Sequence, residues 1–395
     1  MKVMVTIVRI IVGVLFIFSG LVKANDPLGL SYKMQEFFEV WGLHGFNSWT
    51  LLMSVLMNAF EIIAGFALLL GWRIRLFSWL LLLLIVFFTF LTGYTYITGM
   101  PKNCGCFGDC LPITSQTSFL KDVALTLLIG FLIWKQRYIN LLFSEKPATI
   151  VMLGITILSF GFQWYTLTYL PVVDCLPFKK GNNITEQMKM PANAVPDSTV
   201  ITFVYKKEGK EVEFTADKFP ADFSATTYEF VNRYDKVIRK GKNNEPPIKG
   251  FALSGESNTD STRFVLEQES AILLFCEKFS DAGTDWKKKF EEIYTAARAK
   301  NIASFIITAE PGKAKDALAG TRFADVPVFK CDFKVIETAA RSNPCIYFIK
   351  KGTVISKYSG KEMDNIKKDI SVATAQVRWP LTPAEQSADS TIQQP

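Results

Sequence analysis

Five apolar segments crowd into the first 170 residues, at 4–23, 50–72, 76–99, 119–134 and 148–170. Each meets or approaches the roughly 20 residues that a helix needs to cross a hydrocarbon core. From Pro171 onward the sequence turns polar, Lys-rich and periodic. The chain therefore divides into a membrane half and a water-soluble half. The first segment has the basic start and apolar middle of a secretory signal, but Arg9 lies inside its apolar run, no small-x-small cleavage site closes it, and further spans follow. It is read as a retained helix.

Lys and Arg in short loops are held on the cytoplasmic side. Lys2 and Arg9 begin the first segment, Arg73 and Arg75 separate the second from the third, and Lys135, Arg137 and Lys146 separate the fourth from the fifth. All three sets fall on one side. This places the chain in the cytoplasmic (inner) membrane with residues 24–48, 103–110 and everything after Pro171 on the periplasmic side, where disulfides persist. The net charge of +7 divides between inside loops and scattered lysines. With no basic patch interleaved with aromatics, it argues against nucleic-acid binding.

The run Asn103-Cys104-Gly105-Cys106-Phe107-Gly108-Asp109-Cys110 sets three of the seven cysteines beside the bilayer. Cysteine attacks as thiolate, and exchange needs a nucleophile and a second thiol to resolve the mixed disulfide. Cys104, Cys106 and Cys110 are therefore the candidate catalytic residues. Placed at a membrane surface, they can meet exported thiol-containing proteins and lipid-dissolved quinones. Cys104 and Cys106 could form a tight, easily reduced pair, and Cys106 and Cys110 a larger ring. Cys175 returns to the same membrane face as a candidate redox partner. Two readings compete: a structural disulfide that pins the loop, and a zinc site of four thiolates, whose Cys-x-Cys-x-x-x-Cys spacing departs from the common paired pattern. His44, the sole histidine, lies in the first outside loop and reads as exposed. Glu61 lies near the middle of the second segment, where an ionisable group is a functional candidate, with Arg9 the expected partner. A pair that only fixes helix register is the alternative.

The Arg-x-x-x-Gly…Ser-Gly-Leu-x-Lys pattern of the first helix, Glu-x-x-x-Gly…Leu-Leu-Gly of the second, and Cys104-Gly105-Cys106-Phe107-Gly108 together resemble the DoxX and MauE group of small membrane proteins over about residues 1–170. The resemblance implies a four-helix bundle linked to disulfide or quinone chemistry, MauE being associated with maturation of a disulfide-rich methylamine dehydrogenase subunit. Here a fifth helix and a soluble region are appended.

In the soluble half, 199–215 reads as a hairpin with a Gly turn, and the Asn-, Pro- and Gly-rich stretch at 240–250 marks a boundary. After it, strands at 271–276, 303–308, 326–329, 343–349 and 353–358 alternate with helices at 285–299, 312–319 and 333–341, as in an α/β sandwich with a mixed sheet. This order resembles the TlpA-like thioredoxin fold over about 246–375. In that resemblance Pro344 stands at the cis-proline and Lys350-Lys351-Gly352 at the last turn. Ser280-Asp281-Ala282-Gly283 falls where the family places its Cys-x-x-Cys, so the domain is expected to be a degenerate thioredoxin. Cys276 and Cys345 lie on strands that neighbour each other in such a sheet. A disulfide between them competes with two small buried hydrophobes, and Cys331 has no evident partner.

The expected organisation is thus a transmembrane domain at 1–170, a connecting segment with a hairpin at 171–245, a thioredoxin-like domain at 246–375 and a disordered tail at 376–395. The leading functional reading is a membrane thiol:disulfide redox protein, with quinone as its candidate cofactor. The alternative is a non-catalytic, membrane-anchored assembly factor that binds exported clients. A transporter is disfavoured by the few polar residues lining the helices.

Overall fold

The computed structural model describes residues 1–101, 108, 110–111, 113–224, 226–239, 241, 243–255, 257–279 and 282–373. Among the described residues, five helices are long and apolar enough to cross a membrane: α1 (Lys2–Asn25), α3 (Thr50–Leu70, with the span beginning at Gly45), α4 (Ile74–Thr98), α5 (Ser115–Trp134) and α6 (Glu145–Thr168). At 20 to 25 residues apiece they reach about 30–38 Å at ~1.5 Å per residue, enough for the apolar core of a bilayer. The protein is a multi-pass membrane protein, and its first partner is the lipid itself. Leu83, Leu127, Ile150 and Leu158 point outward from the bundle, as lipid-facing side chains do, while Val12, Phe16, Ala64, Leu68, Leu81, Ile129 and Leu132 fill its centre.

α1 and α3 pack antiparallel at close range. Gly13 and Gly65 oppose each other so tightly that a Cβ on Gly65 would sit 2.8 Å from the Gly13 carbonyl oxygen, and Gly20 lies against Glu61 and Ile62. Small residues permit that backbone approach, and dispersion contacts rather than water exclusion reward it in lipid. α3 ends at Gly71, whose φ of 72° suits a residue without a Cβ.

A helix that was expected to be loop, α2 (Pro27–Val40), lies between α1 and α3. Asp26 caps it by accepting from Gly29 N–H, and Pro27 occupies its first turn. Ser54 Oγ donates to the Pro27 carbonyl, and Ser31 Oγ donates to Thr50 Oγ1. These bonds lay α2 across one end of the bundle. The loops carrying Arg73 and Arg137 occupy the other end, where Leu142 N–H donates to the Leu70 carbonyl and Arg9 Nη1 to the Asn140 carbonyl.

Beyond α6 and the short α7 (Ile184–Gln187), β1 (Ser198–Lys207), β2 (Lys210–Thr215) and β3 (Glu229–Arg239) form an antiparallel sheet ordered β2-β1-β3. The expected hairpin is β1–β2, and β3 is an unexpected third strand. The α/β unit follows: α8 (Thr262–Leu266), β4 (Ala271–Cys276), α9 (Asp285–Ala299), β5 (Ala303–Thr308), α10 (Pro311–Leu318), β6 (Val328–Lys330), α11 (Phe333–Ala339), β7 (Cys345–Lys350), β8 (Thr353–Ser359) and α12 (Ile366–Val372). Its sheet runs β6-β5-β4-β7-β8. β4 is parallel to β5 and antiparallel to β7, which pairs with β8 as a hairpin. β4 and β5 are buried along their whole length, hence their continuous apolar runs. The Asn343–Pro344 peptide is cis.

This unit also draws on the segment expected to be a connector. Phe178 and Ile184 are buried in the core beneath the sheet, and Ile184 N–H donates to the Gly352 carbonyl. The unit therefore begins well before residue 246. The tail 374–395 lies outside the described residues.

Candidate functional site

Cys110, in the loop between α4 and α5, is disulfide-bonded to Cys175, seven residues past the end of α6, with their Cα atoms 4.9 Å apart. The bond borders a cleft lined by Val22, Asn25, Asp26, Gly108 and Asp174. Asn25 fixes one wall: its Nδ2 donates to the Val173 carbonyl at 2.8 Å, and its Oδ1 accepts from Val173 N–H at 3.0 Å. Asp174 accepts from Lys357 Nζ of β8 at 3.0 Å. The disulfide and these hydrogen bonds together gather the ends of α1 and α6, the cysteine loop and the α/β unit. Cys104 and Cys106 lie outside the described residues. Because the sulfurs of Cys110 and Cys175 are spent on each other, they are not available as two of the four thiolates of a zinc site.

The other three cysteines are buried and outside any disulfide. Cys276 and Cys345 do not pair, although β4 and β7 are neighbours as expected. The register sets Cys345 opposite Phe275, and successive side chains of a strand point to opposite faces. Phe275 and Cys345 share the core that contains Phe178, whereas Cys276 points the other way and donates to Asn343 Oδ1 at 3.4 Å. Burial raises the Cys331 thiol to about 12 and the Cys345 thiol to about 11, which leaves too little thiolate for exchange.

Glu61 is paired with Lys23, not with the expected Arg9. Lys23 Nζ donates to Glu61 Oε1, with the two side chains 2% and 1% exposed. The reason is the antiparallel register set by Gly13 and Gly65, which brings Glu61 to the level of Gly20. Arg9 lies 11 residues further along α1, about 16 Å away at ~1.5 Å per residue. A second buried acid escaped the sequence reading: Asp122 of α5, 1% exposed, accepts from Thr92 Oγ1 at 3.1 Å and pairs with Lys121 at 2.9 Å. Its signal was an Asp inside an apolar segment.

The last site lies where α2 meets the α/β unit. Arg341 Nε donates to both Asp26 oxygens at 2.8 and 3.0 Å, its guanidinium lies over the Tyr32 ring, and Tyr32 OH donates to Glu277 Oε2 at 3.4 Å. Lys334 pairs with Glu39 at 3.0 Å. Glu277 N–H donates to Asn343 Oδ1, so α2 covers the end of the sheet where β4 closes beside Pro344. Burial first, then the nearby Glu277 charge, raises the Glu337 carboxyl to about 7. Ser280 and Asp281 lie outside the described residues.

These features define a multi-pass membrane protein with a disulfide at one end of its bundle and an α/β unit docked over that end. Residues 1–135, which run through α5 and include the cysteine loop, match the family described as methylamine utilisation protein MauE, so the membrane part is MauE-like. Residues 199–240, the three-stranded sheet, match a domain of unknown function, DUF8463. No curated protein and no solved structure matches the chain.

Proposed function

We propose that this chain is a membrane-bound thiol:disulfide redox protein of the extracytoplasmic side, in which Cys110 and Cys175 hold the exchanging bond and Cys104 and Cys106 supply neighbouring thiols. The observation that carries the reading is the Cys110–Cys175 bond, four and six residues from two further cysteines in the same loop. In one exchange, a thiolate of Cys104 or Cys106 attacks Cys110 Sγ. A new S–S bond forms, the bond to Cys175 breaks, and its electron pair leaves on the Cys175 sulfur. An exported dithiol that enters by the same route gives up two electrons, ends as a disulfide, and leaves the cluster as a dithiol. The MauE likeness of residues 1–135 supports a role in methylamine utilisation.

The α/β unit is proposed to be a degenerate thioredoxin-like domain, a reading supported by its strand order and by the place of Pro344. Its part is positional, because Ser280 and Gly283 stand in the sequence where the thiols of the Cys-x-x-Cys pair are needed and its own cysteines are buried. Client capture at the Pro344 end, the assembly-factor reading, is disfavoured because α2 already covers that end. The test is Cys175→Ser in the full chain, alkylated in the cell and run on a non-reducing gel. The freed Cys110 should be trapped in mixed disulfides with Cys104, Cys106 or an exported protein. Loss of folded protein with no trapped species in any single Ser variant would instead mark a structural bond.

A further inference from the structure

β3 is an outer strand of the sheet β2-β1-β3, and its far edge has no strand partner among the described residues. An unpaired edge is a row of backbone N–H and C=O groups ready to bond another strand, so proteins ordinarily blunt it with a short strand, a proline or charges. β2, the opposite edge, is blunted. It has six residues, Lys210-Glu211-Val212-Glu213-Phe214-Thr215, and pairing it antiparallel with itself about Val212 would set Glu211 against Glu213. β3 runs for 11 residues without a proline, and Phe230, Val231, Tyr234 and Ile238 are exposed along it. Two of its long side chains lean back over the sheet: Tyr234 OH donates to Glu213 Oε2 of β2 at 2.6 Å, and the Arg233 guanidinium lies 5.9 Å from the centre of the Phe203 ring of β1. Neither shields the outer backbone.

The order of residues along β3, Glu229-Phe230-Val231-Asn232-Arg233-Tyr234-Asp235-Lys236-Val237-Ile238-Arg239, is complementary to its own reverse. Laid antiparallel on a second copy with Tyr234 opposite Tyr234, Arg233 meets Asp235 and Asp235 meets Arg233. Further out, Phe230 meets Ile238 and Glu229 meets Arg239. No like charges face each other, and directly opposed pairs of these kinds stabilise a sheet. The register is specific: moving the axis one residue back sets Arg233 against Arg233, and one residue on sets Asp235 against Asp235. Bulges at Val231 and Ile238 bend the ends of the strand and leave 232–237 paired one for one with β1, so the centre of the edge is regular. Within one chain Arg233 and Asp235 already lie 3.4 Å apart on the surface. An exposed pair of that kind holds little, so it is readily exchanged for two pairs across the axis.

We propose that β3 pairs antiparallel with β3 of a second copy of this chain, with Tyr234 on the twofold axis, so that the two three-stranded sheets join edge to edge. The contact is isologous and closes on itself, giving a dimer and not a filament. Backbone hydrogen bonds supply the attachment, and the opposed charges select the register and the partner. An edge contact buries little area, but both copies are held in one membrane, which raises the effective concentration of each edge for the other. The pairing lies in the region that matches DUF8463, outside the MauE-like residues, and is independent of the redox reading above.

The test uses the full chain in its native membrane. Directly opposed residues of an antiparallel pair have Cα atoms about 4.5–5.5 Å apart, within reach of a disulfide. Under mild oxidation, and above the wild-type background from the native cysteines, Tyr234→Cys is therefore expected to link to itself at least tenfold more than Asn232→Cys, whose two copies stand about 13 Å apart along the strands. Differently tagged chains then separate contacts within a chain from contacts between chains. Arg233→Asp and Asp235→Arg each set like charges across the axis, and each should co-purify with itself at least tenfold less than the wild type does. Expressed together, the two variants should co-purify with each other as the wild type does, because every acid then faces an arginine; rescue in trans also shows that both fold. Equal linking at 232 and 234, or no rescue in trans, would overturn the proposal. So would a Tyr234→Cys chain that links to another exported protein and not to itself, since the edge would then take a client's strand.

Discussion

Lys23 and Glu61 meet across α1 and α3 in near-complete burial, and Arg9, the cation that the sequence offers first, is held at the opposite end of the same helix by the Asn140 carbonyl. Removing one member of a buried pair strands the other charge and costs about 3–5 kcal/mol, whereas replacing both with apolar residues of similar volume is often neutral or stabilising. Glu61→Leu alone is therefore expected to unfold at markedly lower SDS fraction in mixed micelles, and Lys23→Met with Glu61→Leu to recover most of the loss. Arg9→Met should cost less than either single change at the pair.

Asp26 serves two masters, capping α2 through Gly29 N–H and accepting from Arg341. Asp26→Asn keeps a side-chain oxygen for the cap and removes the charge that Arg341 meets. The expected loss is about 1–3 kcal/mol, seen as faster hydrogen exchange in α2 and in residues 333–343 with the α1–α3 contact unaffected. Equal protection in both proteins would show that the salt bridge does not hold the α/β unit on the bundle.

Glu337 makes this dock pH-dependent. Its folded-state value, about 7, lies above the ordinary 4.5, so the stability contributed by its neutral form is full below about 4.5 and is lost as pH rises through about 7. Thermal unfolding of the full chain should fall in midpoint between pH 5 and 7.5, and Glu337→Gln should flatten that slope. A midpoint that rises with pH over this window in the wild type, and not in Glu337→Gln, would reverse the assignment.

Membrane orientation is open to direct labelling. With a membrane-impermeant maleimide on right-side-out vesicles, single cysteines in 24–48 and beyond 180 should be modified, and those beside Arg73 or Arg137 should stay dark. Strong labelling beside Arg73 would invert the arrangement.

Much of this was legible because lipid and sheet impose simple periods. The five spans follow from uninterrupted apolar runs, and β4, β5 and β7 from short apolar strands buried on both faces. α2 escaped because it is shorter than a span and Ser31, Lys33, Gln35, Glu36 and Glu39 interrupt its apolar residues, so that no single clean face shows. The Lys23–Glu61 pair escaped because composition names the charged residues but only helix register decides which of them meet. Gly13, Gly20 and Gly65 carried that register in the sequence, since each marks a close approach. The contribution of Phe178 and Ile184 to the α/β core could not be seen locally, as it depends on a strand hairpin about 170 residues downstream.

The central claim, that the Cys110–Cys175 bond works rather than merely staples, is tested most directly by differential alkylation and peptide mapping of the full chain in its native membrane across a graded thiol–disulfide buffer. The account predicts that Cys110 and Cys175 pass reversibly between bonded and alkylatable states within the range of thiol–disulfide exchange proteins, roughly −120 to −270 mV, with Cys104 and Cys106 appearing in mixed species along the way. A bond that stays closed below about −300 mV, with Cys104 and Cys106 never leaving one state, would contradict it.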